Sequence, residues 1–303
     1  MRALLAVLVM AGASGCGSCE PQSSSGSSGA SPHPTFIVSA VAPHPSASTS
    51  APQLPHGPPT QRLACRVVTM EGDARIESAT TDAGAPLLLQ GLTPTETWFD
   101  VAKGGRVVAK DPKTGRETTF RGPARVRACV GYAEESWLAS GHFESTVGAG
   151  ESPGAEEWVA TPYGVVRYTA AKMSVDVGAR DADVTVEGGQ AFAWGGPTDA
   201  GTADEGWTRL SLGKSKLTMR DAPAAAVDRC SRLAEAARAL AARVMSPEGG
   251  VDGGTILEQV TTRRLARAAC AVASVKTNAL APADAAPLLR PLADANAAWS
   301  TLP

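Results

Sequence analysis

Arg121-Gly122-Pro123-Ala124-Arg125-Val126 opens a series of β-prone runs, each of which stops at a Gly or Pro. Ser136-Trp137-Leu138-Ala139-Ser140-Gly141-His142-Phe143 follows, then Trp158-Val159-Ala160-Thr161-Pro162-Tyr163-Gly164-Val165-Val166. Val184-Thr185-Val186-Glu187-Gly188-Gly189-Gln190-Ala191-Phe192-Ala193-Trp194 closes it. β-branched and aromatic residues fit a pleated surface, Gly allows positive φ, and Pro pre-sets φ at corners. Gly122, Gly141, Gly164, Gly188 and Gly189 therefore read as strand-end turn positions, with Pro123 and Pro162 at corners.

The same grammar extends outward. Short strands are expected at 65–70, 87–89, 97–101, 106–109, 117–120, 125–128, 135–138, 141–146, 158–161, 164–169, 173–177, 183–187, 191–194, 207–210 and 217–220. They recur about every ten residues with no amphipathic helix between them. That spacing argues against βαβ units and predicts an all-β domain over 63–220, solenoid-like or a sandwich.

Beyond residue 220 the period changes to about 3.6. Val227, Cys230, Leu233, Ala237, Leu240 and Val244 form one apolar stripe, with Asp221 as a candidate N-cap and Pro223 in the first turn. Thr255-Ile256-Leu257-Glu258 reads as a capping box opening a second helix, with Leu257, Val260, Leu265, Ala268 and Val272 as its stripe. Pro282 is expected to stop it. A third segment, 284–299, has Pro287 in its first turn and Pro291 inside, where a kink or break is expected. A small α-helical hairpin or bundle over 221–303 follows.

Met1-Arg2, the apolar run 3–10 and the small residues before Cys16 read as a secretory signal over 1–15, too short to span a membrane. The small residues resemble a lipoprotein cleavage box, which implies a diacylglycerol thioether on Cys16; an ordinary signal peptide is the alternative. Gly17 in place of Asp favours the outer membrane by analogy with enteric bacteria. Residues 16–62 are rich in Ser, Pro, Gly and Ala and bury too little apolar surface to fold. They read as a disordered tether spanning roughly 35–40 Å as a coil and up to roughly 140 Å as polyproline II. The formal net charge of −2 gives no case for nucleic acid binding.

The series Gly122-Pro123-Ala124, Leu138-Ala139-Ser140-Gly141, Thr161-Pro162-Tyr163-Gly164 and Val184 to Ala193 resembles the FecR family of bacterial envelope domains over about residues 64–194. Gly122, Pro123, Gly141, Thr161, Pro162, Gly164, Gly188 and Gly189 carry the resemblance. Ala191 and Ala193 stand where the family ends in valines. Ala171-Lys172-Met173-Ser174-Val175-Asp176-Val177 replaces its "GT-x-F-x-V" step. The resemblance implies an all-β, solenoid-like fold. The best-known members relay signals from an outer-membrane transporter to a sigma factor, using an anti-sigma segment and a spanning helix. No window of this chain reads as such a helix, so direct sigma-factor control is not expected.

After Cys16 and Cys19 the cysteines are Cys65, Cys129, Cys230 and Cys270. An exported chain can oxidise them. Cys230 lies 15 residues before Met245 and Cys270 lies 15 after Thr255. Antiparallel helices bring both to the same height, about 22 Å from the connection. Cys230–Cys270 is therefore the expected pair, and Cys65–Cys129 follows by elimination; buried free thiols are the alternative. The spacing does not suit a zinc site.

No cofactor or metal motif is found, and no catalytic signature. His33, His44 and His56 lie in the tether. Ser140 and His142 share a strand face without an evident orienting acid. Glu134-Glu135 and Glu156-Glu157 read as solvated acids in inter-strand turns. Trp98, Trp137, Trp158, Trp194 and Trp207 read as packing residues, or else as a stacking surface for glycan or peptide. Arg229, Arg232, Arg238, Arg243, Arg263, Arg264 and Arg267 give a basic helical face, solvated or docking. The leading expectation is a non-enzymatic, lipid-anchored envelope protein, at the outer membrane facing the periplasm, that binds a protein or glycan partner. A periplasmic sensor acting through a separate membrane partner is the alternative. A cell-wall hydrolase using Glu134, Glu135 and His142 is the third.

Overall fold

The computed structural model describes residues 64–77, 84–93, 97–112, 114–130, 135–146, 156–195, 206–245 and 253–302. The expected signal, the tether and Cys16 lie outside the described residues, as does Glu134.

Among the described residues twelve strands form one hydrogen-bonded sheet, and three helices follow. The short strands are β1 (Arg66–Glu71), β2 (Ala74–Ile76), β3 (Ala85–Pro86), β4 (Phe99–Val101) and β5 (Arg106–Lys110). Four are long: β6 (Glu117–Val130), β7 (Glu135–Thr146), β9 (Gly164–Val177) and β10 (Ala182–Trp194). β8 (Glu157–Thr161), β11 (Trp207–Arg209) and β12 (Gly213–Leu217) complete the set.

Each long strand joins two runs that the sequence suggests are separate. The expected breaks at Gly122, Gly141 and Gly188-Gly189 are bends within a strand, not reversals. The β6–β7 register shifts between Arg121 and Arg125, and the β9–β10 register shifts around Gly188. A bulge of this kind turns the strand without ending it. Gly122 is needed for close approach: a Cβ there would lie 1.9 Å from the Ala102 carbonyl oxygen. Gly141 has φ +96°, and a Cβ would lie 2.4 Å from that of Ala124.

The bends let one strand serve two half-sheets. The first half of β6 pairs with β5 and its second half with β4. β7 and β9 pair directly at Gly141–Ser145 and Val177–Met173, then part to admit β8, which is parallel to β7 and antiparallel to β9. β10 pairs with β12 near its start and with β11 near its end. Inward residues of both halves, among them Val67, Phe120, Phe143, Val175, Val126, Leu138, Val159 and Val166, share one core. Phe99, Phe120, Phe143 and Tyr168 run through it edge to face.

One expected strand is absent and others are corrected at their ends. Leu87–Leu89 is not a strand; Leu87 is buried, whereas Leu88 and Leu89 are exposed. The last strand ends at Leu217 instead of beginning there, because it pairs backwards onto β10 through Gly213. Phe99, not Thr97, opens β4.

The helices are α1 (Pro223–Val244), α2 (Gly253–Asn278) and α3 (Pro282–Ser300). Ala222, not Asp221, is the N-cap of α1 and makes no side-chain cap; Asp221 pairs with Arg229 instead. α2 is already helical two residues before Thr255, so the expected capping box lies inside the helix. Pro282 starts α3 and does not terminate α2, in keeping with the tolerance of Pro in a first turn. Pro287 and Pro291 both lie within α3, which continues through them. No helix among the described residues is long and apolar enough to cross a membrane.

The outer face of the β4–β8–β11 half-sheet carries the helices. Trp98, Trp137, Trp158, Ala160, Val165, Trp194 and Trp207 form a second core with α1, α2 and α3. β8, inside this half-sheet, is thus buried on both faces, with all five of its residues buried. Residues 266–277 of α2 are buried almost all round, whereas Leu257 and Val260, expected in its stripe, are exposed. Cys65–Cys129 and Cys230–Cys270 both lie within disulfide distance, with Cα separations of 5.8 and 4.6 Å.

Candidate functional site

The five tryptophans of the β-domain are packing residues. Trp158 stacks edge to face on Trp207 at 5.2 Å, and Trp98 lies 6.2 Å from Trp137. Strand alternation puts Trp158 on the helix side and Val159 in the inner core.

Where α2 and α3 pass over β6, β7 and β8 they leave a groove of about 760 Å³. Arg127, Arg263, Arg264 and Arg267 line it, with Trp137, Trp158 and Trp299, and with Glu135 and Glu156. Arg267 bonds Glu135 at 2.9 Å and lies 4.3 Å from the Trp158 ring centre. Arg127 lies 4.7 Å from the Trp137 ring centre. The Trp158 indole donates to Glu156, and the Trp137 indole to Glu135. Arg167 holds Glu156 at 2.9 Å, and Arg264 reaches the same carboxylate at 3.8 Å.

The acids are therefore not solvated turn residues. Glu135 and Glu157 are buried and Glu156 half-buried: Glu135 and Glu156 lie under α2, and Glu157 is enclosed by the inner core. Charges so placed need partners. Glu157 faces away from the groove into the inner core, ion-paired with Arg116 at 3.0 Å and accepting the Tyr168 hydroxyl at 2.9 Å. Burial pushes its carboxyl up to about 7; Arg116 and Tyr168 act against this, and Asp111 adds to it. Burial, and then Glu157, also push the Tyr168 phenol well above its ordinary range.

A carboxyl with a raised folded pKa binds its proton more tightly in the folded than in the unfolded chain. Stability therefore falls as pH rises from about 4.5 to about 7, by about 3 kcal/mol in all from this group. Urea unfolding of wild type and Glu157→Gln across pH 4.5–8 isolates it as the difference between the two profiles. A difference that does not change with pH would show that Glu157 stays ionised beside Arg116.

The family-motif residues gather at two other places. Gly122, Pro123 and Gly141 line a shallow cavity of about 510 Å³ with His142, Asp176, Asp181 and Asp183. Thr161, Pro162 and Gly164 make the β8–β9 hairpin, in which Thr161 donates its hydroxyl to the Gly164 carbonyl. Gly188 and Gly189 bend β10 against Ala170. His142 does have an orienting acid: its Nδ1 lies 2.6 Å from Asp176 Oδ1 across the β7–β9 ladder. The ring is not hydrogen-bonded to Ser140. Among the described residues no group of three His, Cys, Asp or Glu could hold a metal.

The basic helical face divides. Arg229 pairs with Asp221 and lies 5.8 Å from the Trp194 ring centre, and Arg232 pairs with Asp228 one turn away. Arg264 and Arg267 face the groove, and Arg238 is exposed on α1.

No protein-family model matches the chain, and no curated protein matches it. The chain is similar to two crystal structures of a candidate anti-sigma factor from Parabacteroides distasonis ATCC 8503. One, at 1.65 Å resolution, is 15% identical over 44% of this chain and 65% of that one, with a TM-score of 0.30. The other, at 2.50 Å, is 14% identical over 48% of this chain and 72% of that one, with a TM-score of 0.30. The chain thus spans slightly under two thirds of the first structure's length.

Proposed function

We propose that this chain is a non-enzymatic envelope lipoprotein, anchored through Cys16 at the outer membrane and facing the periplasm, whose helix-capped, FecR-type β-domain binds a partner. The residues that bear on this are those of the groove between α2, α3 and the half-sheet. Among the described residues, arginines converge there beside the partly exposed Trp299, and arginine and aromatic side chains are enriched where proteins bind their partners. The partner is an envelope protein or glycan. The β-domain, solenoid-like or sandwich, supplies a rigid platform, and the tether sets its distance from the membrane.

Intact-mass spectrometry of protein purified from native membranes tests the anchor. A chain beginning at a diacylated Cys16 is expected; an unmodified Cys16 would sink that part of the reading. A photo-cross-linking residue at position 264 tests the groove. An adduct from position 264, absent when the same residue stands at position 238, is expected. No adduct at 264, or equal adducts at both, would remove the groove as the binding site.

A further inference from the structure

We infer that the groove takes an acidic peptide segment with an apolar anchor, contributed by a protein partner. This rests on the reading of the groove as the binding site and names its ligand class. The first ground is charge. Among the described residues four arginines and two glutamates line the groove, and Arg127, Arg263 and Arg267 are already engaged. The glutamates are already held, Glu135 by Arg267 and Glu156 by Arg167. Arg264, at 46% side-chain exposure, is only loosely engaged at 3.8 Å. Its planar fork suits an incoming carboxylate.

The second ground is the arrangement along α2. Leu257, Val260, Arg264 and Arg267 follow at helical spacing on one face. Leu257 is 66% exposed and Val260 42%, and Val260 lines the groove itself. A peptide lying along this face meets aliphatic surface at the start of α2 and guanidinium groups further on.

The third ground weighs against a glycan. Sugar stacking needs an open ring face. Trp158 and Trp137 are 2% and 8% exposed, and Arg267 and Arg127 lie over them. Exposed leucine and valine side chains suit a peptide better than a hydroxyl-rich chain. The protein's own tether is a poor occupant, because residues 17–62 contain a single acid, Glu20.

The test is selection from a random 12-residue display library on the full disulfide-bonded chain, followed by fluorescence anisotropy with the enriched peptides. Oligogalacturonate serves as the anionic glycan probe. Sequences with Asp or Glu beside Leu, Ile or Phe are expected. Their affinity should fall at least tenfold in Arg264→Glu and several-fold in Val260→Ser, and weaken as salt rises. Arg238→Glu, on α1 outside the groove, should change little. Enriched peptides without acids, or peptides indifferent to Arg264→Glu, would overturn the inference. Oligogalacturonate binding lost in Arg264→Glu, with no such peptide binding, would overturn the peptide assignment and keep the groove. If neither probe responds to Arg264→Glu, the groove reading falls as well.

Discussion

Replacing Cys230 and Cys270 together by alanine lowers the unfolding free energy by about 4 kcal/mol. The bridge closes a loop of 40 residues, and the chain-entropy estimate for a loop of that length is about 4 kcal/mol. Both cysteines are fully buried in the core that α1 and α2 share with the tryptophan face, so alanine introduces no polar or oversized group. The substitution acts mainly by freeing the unfolded chain. Urea unfolding followed by tryptophan fluorescence reads it directly, because Trp194 and Trp207 belong to the same core. The Cys65–Cys129 bridge is kept intact throughout. A loss below about 1 kcal/mol would mean that the unfolded hairpin is already compact without the bridge.

The β-content and the change to helix near residue 221 are legible from periodicity alone. So is the helical cysteine pairing, which needs only two helices of similar arm length. The four long strands are not legible. Gly122-Pro123 and Gly188-Gly189 look like reversals in a one-dimensional reading, because the residues of a turn and of a bulge are the same. What separates them is a neighbour distant in sequence: Ala102 against Gly122, and Ala170 against Gly189. Two strand-like runs with a glycine between them are one bent strand when both halves find partners.

The groove is legible only in its ingredients. Tryptophans spaced along a β-domain and arginines along a helix are visible, but their meeting is not. Glu135 and Arg267 stand 132 residues apart. The acids at 135 and 156 read as solvated because the α2 residues they meet come more than a hundred residues later, in Glu135–Arg267 and Glu156–Arg264. The Asp176 partner of His142 is hidden for the same reason: it depends on the β7–β9 register. Side-chain type survives translation from sequence to structure better than exposure does.

Trp158→Ala destabilises the protein by about 3–5 kcal/mol, the range for removing a fully packed tryptophan. Trp158 is 2% exposed at the junction of β8 and α2. Its ring touches Trp207 edge to face, supports the Arg267 guanidinium, and donates its N–H to Glu156 at 3.0 Å. Alanine leaves a cavity between the half-sheet and the helices, removes one donor from a half-buried carboxylate, and takes away the surface under Arg267. All three effects fall on the seam between sheet and helices, so the loss should concentrate there. Amide exchange in α2 should accelerate, while the inner core around Phe120 and Phe143 keeps its protection. Trp158→Phe retains the ring contact and loses only the donor, so it should recover most of the stability. Equal acceleration in both cores would show that sheet and helices unfold as one cooperative unit, and that the Trp158 seam is not a separable boundary.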